Sequence, residues 1–340
     1  NLRDILQKVQ VVSYSPRGAP VERTVAEGLA RELAPKARVV ATTRDVPALE
    51  LSTLRISTGG GGRTSQGQDA EASFQIGSEG TGHISASHPH WLYALFCLIR
   101  DEWLDRDSVE FTHGMKVTPT FPWLRNLSDF FVGGVRHARH FDRENYIVQL
   151  ARQGFSHVSI NGLGVDRPFE TGPPGDVYSS FYDYSPDLDQ FVDSRLLKGY
   201  YPADYLQANL NFLKHNAVLA LRYGLTPGLH INSPRSMPEE FWHRYGFLRG
   251  ARVDHPRESL RPRYTLALAH PVVQHHYREL IQKVMREIPE IGFIHLWTND
   301  SGAGFEFVTS LYAGRNGGPY LLREWKGEEA IARKAADNVL

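Results

Sequence analysis

The chain has 340 residues, a length that suits about two domains. Hydrophobic residues make up 41% and charged residues 22%, the balance of a globular chain able to bury a sizeable core. Lys plus Arg and Asp plus Glu both number 38, so the formal net charge is zero and nothing favours nucleic acid as a partner. No apolar run approaches the ~20 residues of a membrane span, so no membrane partner is expected. The single cysteine, Cys97, excludes an intramolecular disulfide and a thiolate-cluster metal site. Its place in the apolar run Trp91–Ile99 points to packing.

Residues 8–14 alternate like a strand, and Glu22–Leu33 carries Val25, Leu29 and Leu33 at helical spacing before Pro35 ends it. Arg38–Thr42 and Leu54–Ser57 read as two further strands. Gly59–Gly62 and the polar run to Asp69 form a loop; without a following Gly-Lys-Ser/Thr it is no phosphate cradle. Ala72–Ile76 and Gly82–Ala86 predict a hairpin around Gly77-Ser-Glu-Gly80, followed by a helix over Pro89–Trp103. Residues 1–108 are therefore expected to form a supporting α/β domain, and 109–127 a β connector.

From about residue 128 the rhythm is strand, helix, strand, helix. The expected strands are Asp129–Val135, His157–Ile160, Thr226–Ile231 and the run from Ile291, with helices over Arg143–Gln153, Tyr201–Tyr223 and His270–Ile288. Gly154 is the expected C-cap of the first of these helices. Met237–Tyr245 reads as a helix, 162–200 as a long loop and 246–263 as a basic loop. Polar residues follow each strand, as the catalytic face of a (β/α)8-type barrel requires. Only four such units fit before Leu340, and four cannot close eight strands. The expectation is that the chain continues, or that another chain, as in a homo-oligomer, supplies the rest. A start at Asn1 and not Met reads as processed or trimmed. The compartment is left open, a periplasmic or secreted one being favoured over the cytoplasm.

The most informative stretch is Ile294-His295-Leu-Trp297-Thr-Asn299-Asp300-Ser-Gly-Ala-Gly-Phe-Glu306. An apolar run breaks there into an aromatic ring, an amide, a carboxylate and glycines. All of Asn-Asp-Ser-Gly are also turn formers. Elsewhere, Arg136 and Arg139 lie in an Arg-His-Ala-Arg-His cluster whose guanidinium forks suit hydroxyls or a carboxylate. Asn161 ends the second strand of this set, and His230 with Asn232 ends the third.

These segments resemble the β-N-acetylhexosaminidases and α-glucuronidases, which pair an N-terminal α/β domain with a barrel. Gly82–Ile99 is similar to the segment leading into that family's domain helix, and Arg139-His140-Phe141 to the Arg-His-Phe after its first barrel strand. Gln153–Asn161 sits where its second strand lies. His295-Leu-Trp-Thr-Asn299-Asp300 falls where the hexosaminidases carry His-x-Gly-Gly-Asp-Glu; the double glycine is Trp-Thr here, and the acidic pair is Asn-Asp. The resemblance implies an exo-acting glycosidase on an oligosaccharide or glycoconjugate. Asp300 would be its general acid and His230 a second catalytic group. Arg136, Arg139, Asn161, Asn232, His295, Trp297, Asn299 and Glu306 would bind substrate. Glycoside hydrolysis calls for a second carboxyl group; Glu306, Asp166, Glu170, Asp183 and Glu324 are the candidates, and Tyr178, Tyr182, Tyr184 and Tyr312 are stacking aromatics. No cofactor and no metal are expected. A non-catalytic carbohydrate-binding barrel is the alternative, as is a metal-dependent barrel hydrolase using His230, His295 and Asp300.

Overall fold

A computed structural model of the chain describes residues 1–42, 53–58, 71–121, 123–125, 141–163, 187–231, 237–254, 262–296, 299–300 and 303–304. It divides into two compact units. One comprises Asn1–Asn126, Asp142–Val158 and Val218–Thr226; the other comprises Leu127–Phe141, Ser159–Ala217 and Pro227–Leu340. The chain is mixed α/β. No helix among the described residues is long and apolar enough to cross a membrane.

The first unit is built on strands β1 (Val11–Tyr14), β2 (Arg38–Ala41), β3 (Thr53–Thr58), β4 (Ala72–Ile76), β5 (Gly82–Ala86) and β6 (Met115–Val117). They form one sheet in the order β2-β1-β3-β5-β4-β6. β1 runs parallel to β2 and β3, and β3 parallel to β5, while β4 is antiparallel to both β5 and β6. The expected hairpin is present in full, from Ala72↔Ala86 to Ile76↔Gly82. Helices α1 (Leu2–Leu6), α2 (Pro20–Glu32) and α3 (Pro89–Leu98) follow the periodicity, with α3 passing into a π-helical turn at Ile99–Trp103. Both α2 and α3 open on a proline, whose missing N–H costs nothing in a first turn. Val25, Leu29, Ile56, Phe74, Ile84, Leu92 and Phe96 are buried as the core.

Two sequence expectations need correction. The stretch from Val109, expected to be a β connector, opens with the helical turn α4 (Val109–Thr112). Its ring Phe111 is fully buried, 5.5 Å from both the Phe74 and Trp103 rings. Burying one aromatic side chain is worth roughly 2 kcal/mol, enough to hold a single turn. The connector then continues as β6, which pairs with β4 at Phe74↔Met115. The first unit also holds helix α5 (Arg143–Arg152), which ends at Gly154 with φ +77°, the left-handed conformation predicted for that cap.

The second unit contains a parallel sheet. After β7 (His157–Ser159) come helix α6 (Ala203–Arg222), β8 (Thr226–Ile231) and helix α7 (Glu239–Tyr245). Strands β9 (Arg249–Asp254) and β10 (Pro262–Leu266), helix α8 (Pro271–Glu287) and β11 (Phe293–Leu296) follow. The sheet order is β11-β8-β7, with the unit division falling within β7, α6 and β8. β11 is parallel to β8. Thr226 N–H bonds Ser156 O and Ile160 N–H bonds Gly228 O, so β7 and β8 climb together and are parallel as well. Three of the four expected strands are thus adjacent and parallel; the fourth, 129–135, lies outside the described residues. Each crossover passes through a helix, as parallel pairing demands.

The second correction concerns 246–263, read as a basic loop. After a short 3-10 turn its chain forms the antiparallel pair β9–β10, from Pro262↔Asp254 to Leu266↔Arg249. One of its arginines, Arg249, lies against aromatic faces. The Arg249 guanidinium lies 4.8 Å from the Tyr264 ring and 5.9 Å from the Trp242 ring, within cation-π range. This region shares a core of Tyr201, Tyr205, Phe241, Trp242, Leu266 and Val273. Helix α8 turns Val273, His276, Leu280 and Val284 inward at helical spacing.

Candidate functional site at the strand ends

In parallel strands, residues at the same register level face the same side. Ile160 N–H on Gly228 O sets Ser159 beside Gly228, and therefore Asn161 level with His230. Across the other ladder, Gly228 pairs Phe293 and His230 pairs His295. Two levels result near the carboxyl ends of the strands: Ser159, Gly228 and Phe293 below, and Asn161, His230 and His295 above.

The lower level explains why residue 228 is glycine. A Cβ there would lie 2.2 Å from the Phe293 ring, so the ring occupies the space a side chain would need. The upper level is polar. The His230 and His295 rings stack with centroids 4.7 Å apart and planes 23° from parallel. His230 is buried and His295 half-buried. Both imidazoles can donate and accept hydrogen bonds.

Asn161 begins a short 3-10 turn, Asn161–Leu163, where the chain leaves β7. Its amide turns sideways along the sheet: Nδ2 donates to His230 O at 2.6 Å, and Oδ1 accepts from His230 N–H at 2.9 Å. Behind it, Asn216 of α6 donates from Nδ2 to Ile160 O at 3.0 Å. Sequence reading passed over Asn216, although its signal was there: an amide among the apolar positions Leu210, Leu213, Ala217 and Ala220 of one helix face.

Asn299 and Asp300 lie beyond the end of β11, in a pair of two-residue strands, β12 (Asn299–Asp300) and β13 (Ala303–Gly304). Asn299↔Gly304 and Asp300↔Ala303 are antiparallel partners. The backbone that carries the expected general acid is thus paired as strand. Arg136, Arg139, Asn232, Trp297 and Glu306 lie outside the described residues, as do Asp166, Glu170, Asp183, Glu324 and the tyrosines Tyr178, Tyr182, Tyr184 and Tyr312. Among the described residues no group of three or more His, Cys, Asp or Glu could hold a metal ion.

A separate cavity of about 270 Å³ lies in the first unit, lined by Trp91, Leu95, Cys97, Leu98 and Val117 with Asp101 and Arg152 among its polar walls. Asp101 and Arg152 pair at 2.9 Å. The Cys97 thiol there is buried, and burial pushes its pKa up to about 11, so it stays protonated and is a poor nucleophile. This agrees with the packing role read from the sequence.

No protein-family model matches the chain, and no curated protein matches it. The solved structures to which it is similar are glycoside hydrolases. One is a GH138 enzyme targeting pectin rhamnogalacturonan II; it is 9% identical with a TM-score of 0.50, over 85% of this chain and 30% of that one. Another is the Flavobacterium johnsoniae chitobiase FjGH20, 13% identical with a TM-score of 0.45, over 98% of this chain and 45% of that one. A third is BtGH115A, a 4-O-methyl-α-glucuronidase with specificity for decorated arabinogalactans, 13% identical with a TM-score of 0.41, over 97% and 39%. The chain spans less than half the length of each of these three proteins. At such identities the likeness is one of fold, and it rests on the GH138 enzyme.

Proposed function

We propose that this chain carries the chemistry of an exo-acting glycoside hydrolase, in a (β/α)-barrel domain spanning 128–340 that is supported by an α/β domain over 1–108. The observation that carries the reading is the level formed by His230 and His295 at the carboxyl ends of adjacent parallel strands, followed within five residues by Asp300. Carboxyl ends of barrel strands are where such folds do chemistry. The fold likeness to a glycoside hydrolase supports the same class.

On this reading the Asp300 carboxyl gives its proton to the glycosidic oxygen as the bond from that oxygen to the anomeric carbon breaks. Water, activated by a second carboxyl group, then adds to the anomeric carbon and releases the sugar. The two imidazoles and Asn299 hold sugar hydroxyls. Arg136 or Arg139, Asn232, Trp297 and Glu306 complete the pocket, with the arginines suited to hydroxyls or a uronate. The substrate is an oligosaccharide or glycoconjugate met in the periplasm or outside the cell.

The test is hydrolysis of 4-nitrophenyl glycosides, including N-acetylhexosaminides, uronides and sialosides, by the parent and Asp300→Asn. Removing a general acid costs about 10²-fold or more in kcat. An Asp300→Asn variant that hydrolyses an accepted glycoside at the parent's rate would remove Asp300 from the mechanism.

A further inference from the structure

We infer that Asn161 is a positioning residue for His230: its side-chain amide continues the β7–β8 ladder one step past the end of β7. This rests on the reading of the strand ends as the sugar site.

The argument begins where β7 stops. The regular ladder uses Ile160 N–H on Gly228 O, and the chain then bends into the 3-10 turn at Asn161. A backbone that bends away can no longer offer His230 the alternating donor and acceptor of a parallel neighbour. The Asn161 side chain supplies both. Nδ2 donates to His230 O at 2.6 Å, and Oδ1 accepts from His230 N–H at 2.9 Å, giving residue 230 two hydrogen bonds from one planar amide. Asparagine suits this because its amide carries the same donor and acceptor as a peptide group.

Two further features show that the amide is itself held. Asn161 is 1% exposed, and the carbonyl immediately before it, Ile160 O, accepts from Asn216 Nδ2 at 3.0 Å. A chain of two buried amides therefore runs from helix α6 through the end of β7 to the backbone of β8. What it fixes is the position of the His230 ring, which stacks at 4.7 Å on His295. An error of 1 Å in such placement can cost about 10²-fold in rate. Asn161 acts on chemistry through His230 and not by touching sugar.

Three variants test this: Asn161→Ala, Asn161→Asp and Asn216→Ala. The first readout needs no substrate: hydrogen exchange at the His230 amide should quicken by about 10-fold in Asn161→Ala, the effect of losing one net hydrogen bond. Asn161→Asp keeps an acceptor for His230 N–H but sets an oxygen against His230 O, so its exchange should lie between parent and Asn161→Ala. The second readout is kinetic, on whichever 4-nitrophenyl glycoside the parent hydrolyses. Asn161→Ala should lose at least about 10-fold in kcat with KM within about twofold. Asn216→Ala should lower thermal stability comparably but lose clearly less kcat than Asn161→Ala, because its amide reaches Ile160 O and no atom of His230. A His230 amide that exchanges at the parent's rate in Asn161→Ala would overturn the inference, as would equal kcat losses in Asn161→Ala and Asn216→Ala. The reading of the site fails separately: if His230→Ala turns over at the parent's rate, His230 is not part of it, whatever the exchange data show.

Discussion

The buried histidine on helix α8 makes acid sensitivity calculable. His276 is 2% exposed, and its Nδ1 lies 2.7 Å from Ser194 Oγ. Ser194 Oγ also accepts Leu197 N–H at 3.2 Å, and its hydroxyl proton is available to an unprotonated Nδ1, a pairing that fits the neutral ring. Burial lowers the pKa from 6.5 to about 4, against a smaller upward pull from Glu279. With the folded-state pKa below the unfolded one, the contribution is fully present above pH 6.5 and is lost progressively as pH falls toward 4. At ~1.4 kcal/mol per pH unit, that interval amounts to about 3 kcal/mol. Burial also lowers the pKa of His88 and of His157, so the parent's acid loss has several sources. Replacing the ring isolates one of them. In urea unfolding followed by far-ultraviolet circular dichroism at pH 7.5 and 4, the parent should lose about 3 kcal/mol more than His276→Gln. Parallel pH dependence in the two proteins would refute the assignment of a buried neutral imidazole.

Three other substitutions read the packing directly. Gly228→Ala should destabilise the second unit by about 1–3 kcal/mol, because the new methyl meets the Phe293 ring, and Gly228→Ala with Phe293→Ala should recover part of that loss; thermal melts decide it. Glu22→Ala should cost about 1–3 kcal/mol, since the Glu22 carboxylate, itself 2% exposed, accepts Thr58 N–H at 2.9 Å and Ser15 N–H at 3.4 Å and would leave those donors unpaired. Tyr223→Phe should cost about 1 kcal/mol through loss of the 2.6 Å hydrogen bond to Glu144 Oε1; a melt superimposing on the parent's would deny that bond any weight.

Much of the fold could be read from local pattern. The spacing of Val273, Leu280 and Val284 marks a helix whatever surrounds it, and Gly77 to Gly80 separates two alternating runs that can only fold back on each other. What escaped reading depends on partners distant in the chain. Arg249 and Arg252 make a strand look like a loop until the Tyr264 and Trp242 rings are set beside Arg249. Phe111 holds a helical turn only because Phe74 and Trp103 are there to meet it. Polar residues at strand ends singled out His230 and His295 as candidates, and the parallel ladder sets them level with each other. Asn161 looked like a ligand for substrate because an amide at a strand end has the right chemistry for it. Its two bonds reach a residue 69 positions away, a distance over which neither spacing nor periodicity carries information.

The central claim is that sugar cleavage occurs at the ends of these strands with Asp300 as the proton donor. Its most direct test is to compare binding and turnover of one glycoside by the parent and Asp300→Asn, using calorimetry for the first and 4-nitrophenol release for the second. Loss of about 10²-fold in kcat with the glycoside still bound at an affinity near the parent's is the predicted result. A chain that binds the glycoside but releases no 4-nitrophenol in parent or variant would contradict hydrolysis and identify a carbohydrate-binding protein instead.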